Sequence, residues 1–323
     1  MTGVDLAGIA EEIGTPAYVY AGDVIRRQFR ALDDAFASVP HRIHYAVKAN
    51  GNLAVLRLLR ELGAGADIVS RGELARALAA GFPPDRIVFS GVGKRIDELE
   101  AAARAGIGSV NVESVEELAA LGRVANAMDQ TVRVGVRFNP DVTPETHPFI
   151  STGQSGIKFG IPTDQVGEIV RLLRANQRLE LVTLAIHIGS QVLDIGPYQE
   201  AVRRLLDQLV TLRSLGVSTV TTLDLGGGLG IRYSHEEPLA AGAFADAVVP
   251  LLGPAGLSVH LEPGRFLVGA AGLLLTRVLY RKQAGSKVFA VVDAGMTELV
   301  RPSRYSAYHH IVPVVERPGS MAT

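Results

Sequence analysis

Short apolar runs alternate along most of the chain with longer segments in which apolar residues recur every three or four positions. The short runs are rich in β-branched residues and indicate strands, whereas the longer segments have the period of amphipathic helices. The sequence predicts eight strands in this region, at residues 43–49, 66–70, 87–92, 109–113, 132–139, 181–189, 222–226 and 258–262. Strands that alternate with helices are typical of parallel α/β sheets, because each helix returns the chain to start the next strand.

The helices between these strands have recognisable ends. Ser70 with Glu73 and Ser114 with Glu117 match the S-x-x-E capping box at a helix start. The predicted helices cover residues 52–62, 72–80, 95–105, 115–128, 163–175, 197–215 and 240–252. Eight strand–helix units predict a (β/α)8 TIM-type barrel of the α/β class, whose functional side chains lie at the carboxyl ends of its strands. A doubly wound open sheet fits the same pattern and stays open as the alternative.

Both ends of the chain lie outside the predicted barrel, which we place at residues 24–265. A short strand is predicted at 15–20, and two further strand-like runs follow at 273–280 and 287–293. We expect residues 1–23 and 266–323 to form a second, β-rich domain. One connection, residues 139–162, holds four prolines and three glycines and is longer than ordinary loops, so we expect it to be functional.

Composition narrows the possible partners to a small molecule. The chain has 323 residues, of which 47% are hydrophobic, and its 32 basic residues balance 33 acidic ones, which argues against nucleic acid or an anionic membrane as partner. No apolar stretch reaches the roughly 20 residues that a membrane-spanning helix needs. The absence of cysteine fits the cytoplasm and excludes thiolate chemistry. No pattern with metal-ligand spacing occurs, so we expect no metal.

Polar residues at the predicted strand ends are the candidates for chemistry. Lys48 follows the apolar run of the first strand, and a lysine that loses hydration in a barrel mouth favours the neutral form that attacks a carbonyl carbon. From this strand alone, a surface lysine remains the simpler interpretation. His187 and Ser190 follow the sixth strand, and a histidine there could stack on a flat ring, move protons or serve only the structure.

The last two strands end in motifs suited to an anion. Residues 226–230 read G-G-G-L-G, and backbone N–H groups of such a run approach a phosphate closely, although a tight turn explains the same letters. Glu262 and Arg265 follow the eighth strand in E-P-G-R. They could pair with each other, or the carboxylate could bind a pyridine nitrogen while the guanidinium binds an anion. Asp246, the acid that a dinucleotide site would require, falls within a predicted helix.

Taken together, these motifs resemble a known family. Y-A-V-K-A-N at 45–50, H-I-G-S-Q at 187–191, G-G-G at 226–228 and E-P-G-R at 262–265 resemble the pyridoxal-phosphate-dependent decarboxylases of the alanine-racemase-like fold. Within that group, the segments 139–153, 158–161 and 295–311 are similar to those of the diaminopimelate decarboxylases. The resemblance covers residues 15–315, and the motifs in this combination and order are highly specific.

The resemblance implies a role for each matching residue. Lys48 would hold pyridoxal phosphate as a Schiff base, Asp67 would lie close to that lysine, and His187 would stack on the pyridine ring. Glu262 would face the pyridine nitrogen, and the phosphate would bind at Ser190, Gly227, Gly228, Gly264 and Arg265. The substrate would be held by Arg265, Arg301 and Tyr305. The implied reaction converts meso-2,6-diaminopimelate to L-lysine in a homodimer.

The sequence departs from the family at its end. Family members carry a later C-E-S-x-D motif, donated across the dimer interface, which this chain lacks. We therefore expect an incomplete β domain and a chain that binds the cofactor but decarboxylates poorly by itself. The alternatives are another decarboxylase of the same fold and a non-catalytic pyridoxal-phosphate-binding protein, although the latter leaves Arg301 and Tyr305 unexplained. A racemase would need a second base that the sequence does not provide.

Overall fold

Eight parallel strands close into a barrel in the computed structural model, which describes residues 3–142 and 158–315. The strands are β1 (Ala17–Tyr20), β2 (His41–Ala46), β3 (Gly65–Ile68), β4 (Ile87–Phe89), β5 (Ser109–Val112), β6 (Val132–Arg137), β7 (Leu179–Ala185), β8 (Thr222–Asp224), β9 (Ser258–Leu261), β10 (Gly272–Leu275), β11 (Val278–Ala284) and β12 (Lys287–Val292). The helices are α1 (Leu6–Ile13), α2 (Gly22–Ala35), α3 (Leu53–Glu61), α4 (Arg71–Ala79), α5 (Ile96–Ala105), α6 (Val115–Ala127), α7 (Val166–Ala175), α8 (Gly196–Ser214), α9 (Ala241–Leu252), α10 (Arg265–Val268) and α11 (Arg301–Tyr305).

The barrel runs in chain order from β2 to β9, and β9 pairs with β2 to close it. In this closing pair, His41 lies opposite Val259 and Ile43 opposite Leu261, in parallel register. The predicted α/β barrel is therefore confirmed, and the open-sheet alternative is excluded. Because all eight strands are parallel, their carboxyl ends meet at one rim.

The barrel strands are buried on both faces, which explains their nearly continuous apolar sequences. Every residue of β3, β4, β5 and β8 is buried. Helices cover the outside with leucines that are fully shielded from solvent, for example Leu56 and Leu59 of α3 and Leu118 and Leu121 of α6. Each such side chain stabilises the fold by about 1.5–3 kcal/mol relative to an exposed one.

Many of the buried side chains of the barrel are polar. Buried polar side chains among the described residues are, apart from Glu98, on a barrel strand or directly after one: His44, Asp67, Ser90, Ser109, Asn111, Glu113, Arg137, Thr183, Thr222, Asp224 and Glu262. Buried polar groups are costly unless they have partners, so this set needs a purpose beyond packing.

Several strands are shorter at the rim than the sequence predicts. The first barrel strand ends at Ala46, and the next three residues, Val47–Ala49, form a single 3-10 turn. The sixth barrel strand ends at Ala185, and His187 lies beyond it. Candidate residues therefore lie on turns above the strands, where their side chains reach the mouth of the barrel.

The chain ends differ further from the prediction. Helix α1 precedes the first strand and was not predicted, and the run predicted at 273–280 is two strands, β10 and β11. The break falls at Thr276 and Arg277, where the Thr276 hydroxyl and the Arg277 N–H both donate to Asp293 Oδ1 at 2.6 and 2.9 Å. Residues 311–315, which end the described part of the chain, form no strand.

The chain divides into two compact units. The larger comprises Asp23–Ile231 and Glu237–Gly269 and contains the barrel; the smaller comprises the described residues of Met1–Gly22, Arg232–Glu236 and Ala270–Thr323. In the smaller unit, β1 pairs with β10 and β11 pairs with β12, both antiparallel.

Most of one predicted functional segment, residues 143–157 of the long loop 139–162, lies outside the described residues. None of the helices that the structure describes is both long and apolar enough to cross a bilayer.

Ser114 allows a test of the predicted helix caps. Its hydroxyl accepts a hydrogen bond from the Glu117 N–H at 3.0 Å at the start of α6. We expect Ser114→Ala to lower the free energy of unfolding by about 1 kcal/mol, because an N–H of the first turn loses its acceptor. Urea unfolding followed by circular dichroism measures this. Ser214→Ala, at the exposed end of α8, should change stability by less than about 0.5 kcal/mol; equal losses in both variants would contradict the cap.

Candidate active site

Lys48 and Asp67 form the central ion pair of the rim. Lys48 lies on the 3-10 turn after β2, and Asp67 lies in the neighbouring strand β3. Lys48 Nζ donates to Asp67 Oδ2 at 2.8 Å. The Asp67 side chain is fully buried, whereas that of Lys48 is 49% exposed, so a small molecule entering the mouth reaches the amine.

The charge state of Lys48 differs from the sequence-based expectation. Desolvation lowers the pKa of its amine, as predicted, but the nearby carboxylates of Asp67 and Glu262 outweigh this effect and raise the pKa above its usual value. The amine is therefore held as an ammonium ion. The loss of hydration at a barrel mouth could be foreseen from the sequence, but the effect of Asp67 and Glu262 could not, because these two acids lie far apart in the chain.

The glycine run after β8 lies against the E-P-G-R segment. A side chain could not be accommodated at Gly227, because a Cβ there would lie 2.1 Å from the carbonyl oxygen of Glu262. Gly228 has φ of +102°, and a Cβ there would lie 2.5 Å from Gly189 O. Tyr198, on α8, fixes the position of this loop, because its hydroxyl donates a hydrogen bond to Gly227 O at 3.0 Å. The run is thus a tightly packed turn with backbone groups at the mouth.

His187 is a neutral, fixed imidazole. The Gly227 N–H donates to His187 Nδ1 at 3.1 Å, so in the neutral ring the proton lies on Nε2. Desolvation, Arg137 and Lys48 lower the pKa of His187 well below its usual value. This environment favours the ring-stacking interpretation of His187 over proton transfer.

The other anion-binding candidates lie beside this loop. Arg265 Nη2 donates to Ser190 Oγ at 3.2 Å, so the two predicted phosphate ligands are neighbours. Gly264 precedes Arg265, and a Cβ at Gly264 would lie 3.0 Å from Ala49 Cβ, next to Lys48 in the chain. Arg265 does not pair with Glu262 in any hydrogen bond or ion pair recorded between described residues.

Glu262 is buried and surrounded by acids. Desolvation raises its pKa well above the usual value, and the charges of Asp224 and Asp67 raise it further. Asp224, whose pKa is raised to about 6 mainly by burial, lies close enough for its charge to act on Glu262. The Ser90 hydroxyl donates to Glu262 Oε1 at 3.2 Å. Such a carboxyl is suited to a cationic partner in the mouth.

Sequence analysis missed a second ion pair behind His187. Arg137 Nη1 donates to Glu113 Oε1 at 3.0 Å, and both side chains are buried. Arg137 Nη2 also donates to the carbonyl of His187 at 3.4 Å, while Glu113 Oε2 accepts from the N–H of Gly160. The sequence offered only a weak signal: Glu113 ends one predicted strand and Arg137 lies near the end of another, as do many surface residues.

Arg301 and Tyr305 belong to the smaller unit. They lie four positions apart on α11, so their side chains project from the same face. The Arg301 guanidinium lies over the Tyr233 ring, 4.3 Å from its centroid, and its Nη1 is 3.1 Å from His309 Nε2.

The remaining predicted residues, all in the larger unit, are brought together around the mouth of the barrel. Lys48, Asp67 and Glu262 interact electrostatically, Glu262 contacts Gly227 through its backbone, and Gly227 contacts His187. Among the described residues, no group of three or more histidines and acids could hold a metal ion. A reactive amine, an acid and a backbone anion cradle thus share one mouth.

Known proteins match both the sequence and the fold. The profile described as "Pyridoxal-dependent decarboxylase, pyridoxal binding domain" matches residues 22–269. A diaminopimelate decarboxylase of Pseudomonas aeruginosa is 47% identical over 98% of this chain and 76% of that protein, and one of Aquifex aeolicus is 46% identical over 97% and 74%. The crystal structure of diaminopimelate decarboxylase from Helicobacter pylori complexed with L-lysine superposes with a TM-score of 0.91 at 40% identity, covering 94% of this chain and 76% of that one.

The chain therefore belongs to the pyridoxal-dependent decarboxylases, which use pyridoxal phosphate as cofactor. Within them, its family is that of the diaminopimelate decarboxylases. The resemblance drawn from the motifs is confirmed.

The residues of the mouth fit pyridoxal phosphate. Its aldehyde requires an amine, which Lys48 provides, and its phosphate requires N–H donors and a cation. The Gly227 N–H already binds His187, so Gly228 and the Arg265 guanidinium are the candidates for the phosphate. Asp67 Oδ1 is buried and has no hydrogen-bond partner among the described residues, so Asp67 keeps one acceptor for a bound group.

Gly227 tests the anion cradle. We expect Gly227→Ala to weaken pyridoxal phosphate binding by about tenfold or more, because forcing an extra carbon against the Glu262 carbonyl costs about 1–3 kcal/mol. Fluorescence titration of the cofactor-free protein measures the affinity. The matched control is Gly242→Ala, where a Cβ would meet nothing within 4 Å. Equal affinities for both variants would contradict a cradle at Gly227.

Asp67 tests the charge state of Lys48. The neutral amine attacks the cofactor aldehyde, so the raised pKa of Lys48 makes cofactor capture faster as pH rises. Asp67→Asn removes a negative charge, which lowers this pKa, and we expect the capture-rate profile to move down by about one pH unit. Stopped-flow absorbance across a pH series gives the profile. Asp97→Asn, on the surface, should leave it in place; an upward shift in Asp67→Asn would refute the assignment.

Proposed function

We propose that this chain catalyses the pyridoxal-phosphate-dependent decarboxylation of meso-2,6-diaminopimelate to L-lysine, a step of lysine biosynthesis. Relatives that are 40–47% identical carry the name diaminopimelate decarboxylase. The single observation that carries the proposal at the site is the Lys48–Asp67 contact of 2.8 Å. The charge of Glu262 acts on the same amine, and the Glu262 backbone lies against Gly227. This arrangement combines a cofactor-binding amine, an acid that orients it and an anion cradle in one mouth.

The larger unit supplies the residues that would bind the cofactor. Lys48 would bind its aldehyde carbon, and Asp67 would orient the amine. His187, neutral and fixed by Gly227, would stack on the ring, while Glu262 would face the ring nitrogen. The phosphate would be held by a group of backbone and side-chain donors: Ser190, Gly227, Gly228, Gly264 and Arg265. When bound, the cofactor accepts the electron pair left as the bond from Cα to the carboxylate breaks.

Substrate selection belongs to the arginines. Diaminopimelate differs from a simple diamine in that it retains a second carboxylate, far from the reacting carbon. A guanidinium binds a carboxylate through two parallel hydrogen bonds, and Arg265 and Arg301 are the candidates for this contact. Tyr305, one turn after Arg301, supplies a hydroxyl from the same face of α11. Each of these side chains is suited to an amino acid with two carboxylates.

The surrounding assembly is also part of the proposal. We propose a homodimer, since strands β11 and β12 expose apolar side chains such as Tyr280 and Phe289 that an interface would cover.

The proposed domains are a cofactor-binding barrel at 24–265 and a β domain from 1–23 and 266–323, and the family match at 22–269 supports the first. The proposed compartment is the cytoplasm, in line with the lack of cysteine.

Lys48→Ala tests the proposed chemistry. Protein mixed with pyridoxal phosphate should develop the absorbance band of a lysine-bound cofactor at the edge of the visible range, and Lys48→Ala should abolish it. Whatever rate of carbon dioxide release from meso-diaminopimelate the unsubstituted chain shows should fall by a factor of about 10³ or more, because the variant lacks the amine that holds the cofactor. Lys287→Ala, an exposed lysine of β12, is the matched control and should retain both signals.

The substrate is tested by comparing amino acids of different charge. Carbon dioxide release should be fastest with meso-diaminopimelate and at least about tenfold slower with lysine or ornithine, which lack the distal carboxylate. A band that survives in Lys48→Ala would refute the role of Lys48. A preference for lysine or ornithine would instead favour another decarboxylase of the same fold.

A further inference from the structure

A row of buried hydrogen bonds crosses the barrel interior and ends at Glu262. Ser109 Oγ donates to Asn111 Oδ1 at 3.2 Å, Asn111 Nδ2 donates to Ser90 Oγ at 3.4 Å, and Ser90 Oγ donates to Glu262 Oε1 at 3.2 Å. The three donors come from β5 and from the residue after β4, and all are at least 94% shielded from solvent. We call them the donor chain.

The donor chain has a direction. An amide nitrogen only donates, so the Ser90 oxygen accepts from Asn111, and the single hydroxyl hydrogen of Ser90 is then free for Glu262. If Glu262 instead donated from Oε1, the Ser90 hydrogen would be left in the protein interior without this acceptor, at a cost of about 1–3 kcal/mol. The chain therefore favours Glu262 as an acceptor.

The fold makes room for this arrangement. Asn111 lies opposite Gly135 in the pairing of β5 with β6. A Cβ at Gly135 would lie 1.9 Å from Asn111 Oδ1, so no other residue could stand there without displacing the amide. At the far end, Ser109 lines a polar cavity of about 400 Å³ at the amino-terminal end of the barrel, together with His44 and His260.

Glu262 needs such a hydrogen-bond donor because its other neighbours favour the protonated form of its carboxyl group. Burial and the carboxylates of Asp224 and Asp67 raise the pKa of Glu262, which makes it a stronger base. A carboxylate that is too basic would take the proton from a cationic ring nitrogen facing it. A hydrogen bond donated to the carboxylate stabilises its charged form and makes it less basic.

We infer that Ser90, oriented by Asn111, is a positioning residue that keeps Glu262 a hydrogen-bond acceptor, so that a proton shared with the ring nitrogen of bound pyridoxal phosphate stays on the nitrogen. This inference rests on the proposed function, in which Glu262 faces that nitrogen. Protonated, the ring draws electrons from the substrate more strongly. Ser90 and Asn111 contribute without touching the cofactor or the substrate.

The first test uses the cofactor-free protein. Isotope-edited infrared spectroscopy follows the carbonyl stretch of protonated Glu262, which is identified by its loss in Glu262→Gln. In Ser90→Ala, the pH at which this band disappears should rise by about one unit, the shift expected when one hydrogen bond to a charged group is removed. Asn111→Asp, which replaces the donor by an acceptor, should shift it in the same direction.

Controls separate this role from simple packing. Ser90→Thr keeps the hydroxyl and should restore the midpoint. Ser109→Ala, two bonds further away, should shift it by less than half as much. Ser114→Ala removes a serine hydroxyl from the same rim, bonded to Glu117 instead, and should leave it unchanged. A folded Ser90→Ala protein with the wild-type midpoint would overturn the inference.

The loaded protein gives an independent readout. With cofactor labelled with ¹⁵N in the ring, the nitrogen chemical shift should report less protonation in Ser90→Ala, and kcat should fall by about tenfold with little change in KM. If wild-type protein forms no Lys48-dependent absorbance band, the proposed function fails, whereas the infrared result still tests the donor chain. If the band forms and the nitrogen shift is the same in Ser90→Ala and wild type, only the inference fails.

Discussion

Closure of β9 onto β2 is the constraint on which the site depends. It brings the turn that carries Lys48 next to the segment that carries Glu262, although these residues are more than 200 positions apart in the sequence. In an open sheet, the first and last strands would form opposite edges, and no single mouth would collect both. The outer helices, packed by leucines, serve this geometry by holding the strands in register.

Within the mouth, buried charges are arranged so that each has an opposing or hydrogen-bonding neighbour. Lys48 pairs with Asp67, and Arg137 pairs with Glu113. Glu262 and Asp224 are left as a carboxyl pair with raised pKa values, and such a pair is stable in the interior only with a shared proton or a cation beside it. Repulsion and loss of hydration therefore destabilise the charged form of this pair, and a cationic ring nitrogen beside it would offset that cost.

The sequence predicted the barrel and most of the site because those features depend on local pattern. Apolar runs of strand length, S-x-x-E caps and the order of motifs are all local, and the caps at Ser70 and Ser114 form as predicted. The predictions that were wrong concern features that depend on tertiary contacts. The strand predicted to reach residue 49 ends at Ala46 because the chain turns at the rim, and the pKa of Lys48 is raised by acids from two other strands.

The donor chain shows why the residues that support the site could not be identified from one sequence. Ser90 and Asn111 look like ordinary polar residues at a strand end and within a short strand, and alternation alone would place Asn111 on either face. Only the pairing of β5 with β6, which sets Gly135 opposite Asn111, reveals that the amide points into the barrel. The side chains that face the mouth can be recognised in the sequence by their chemistry. The residues that adjust the protonation of those side chains can be recognised only by their contacts. In a barrel with a polar interior, the second set therefore has to be found from the structure, strand by strand.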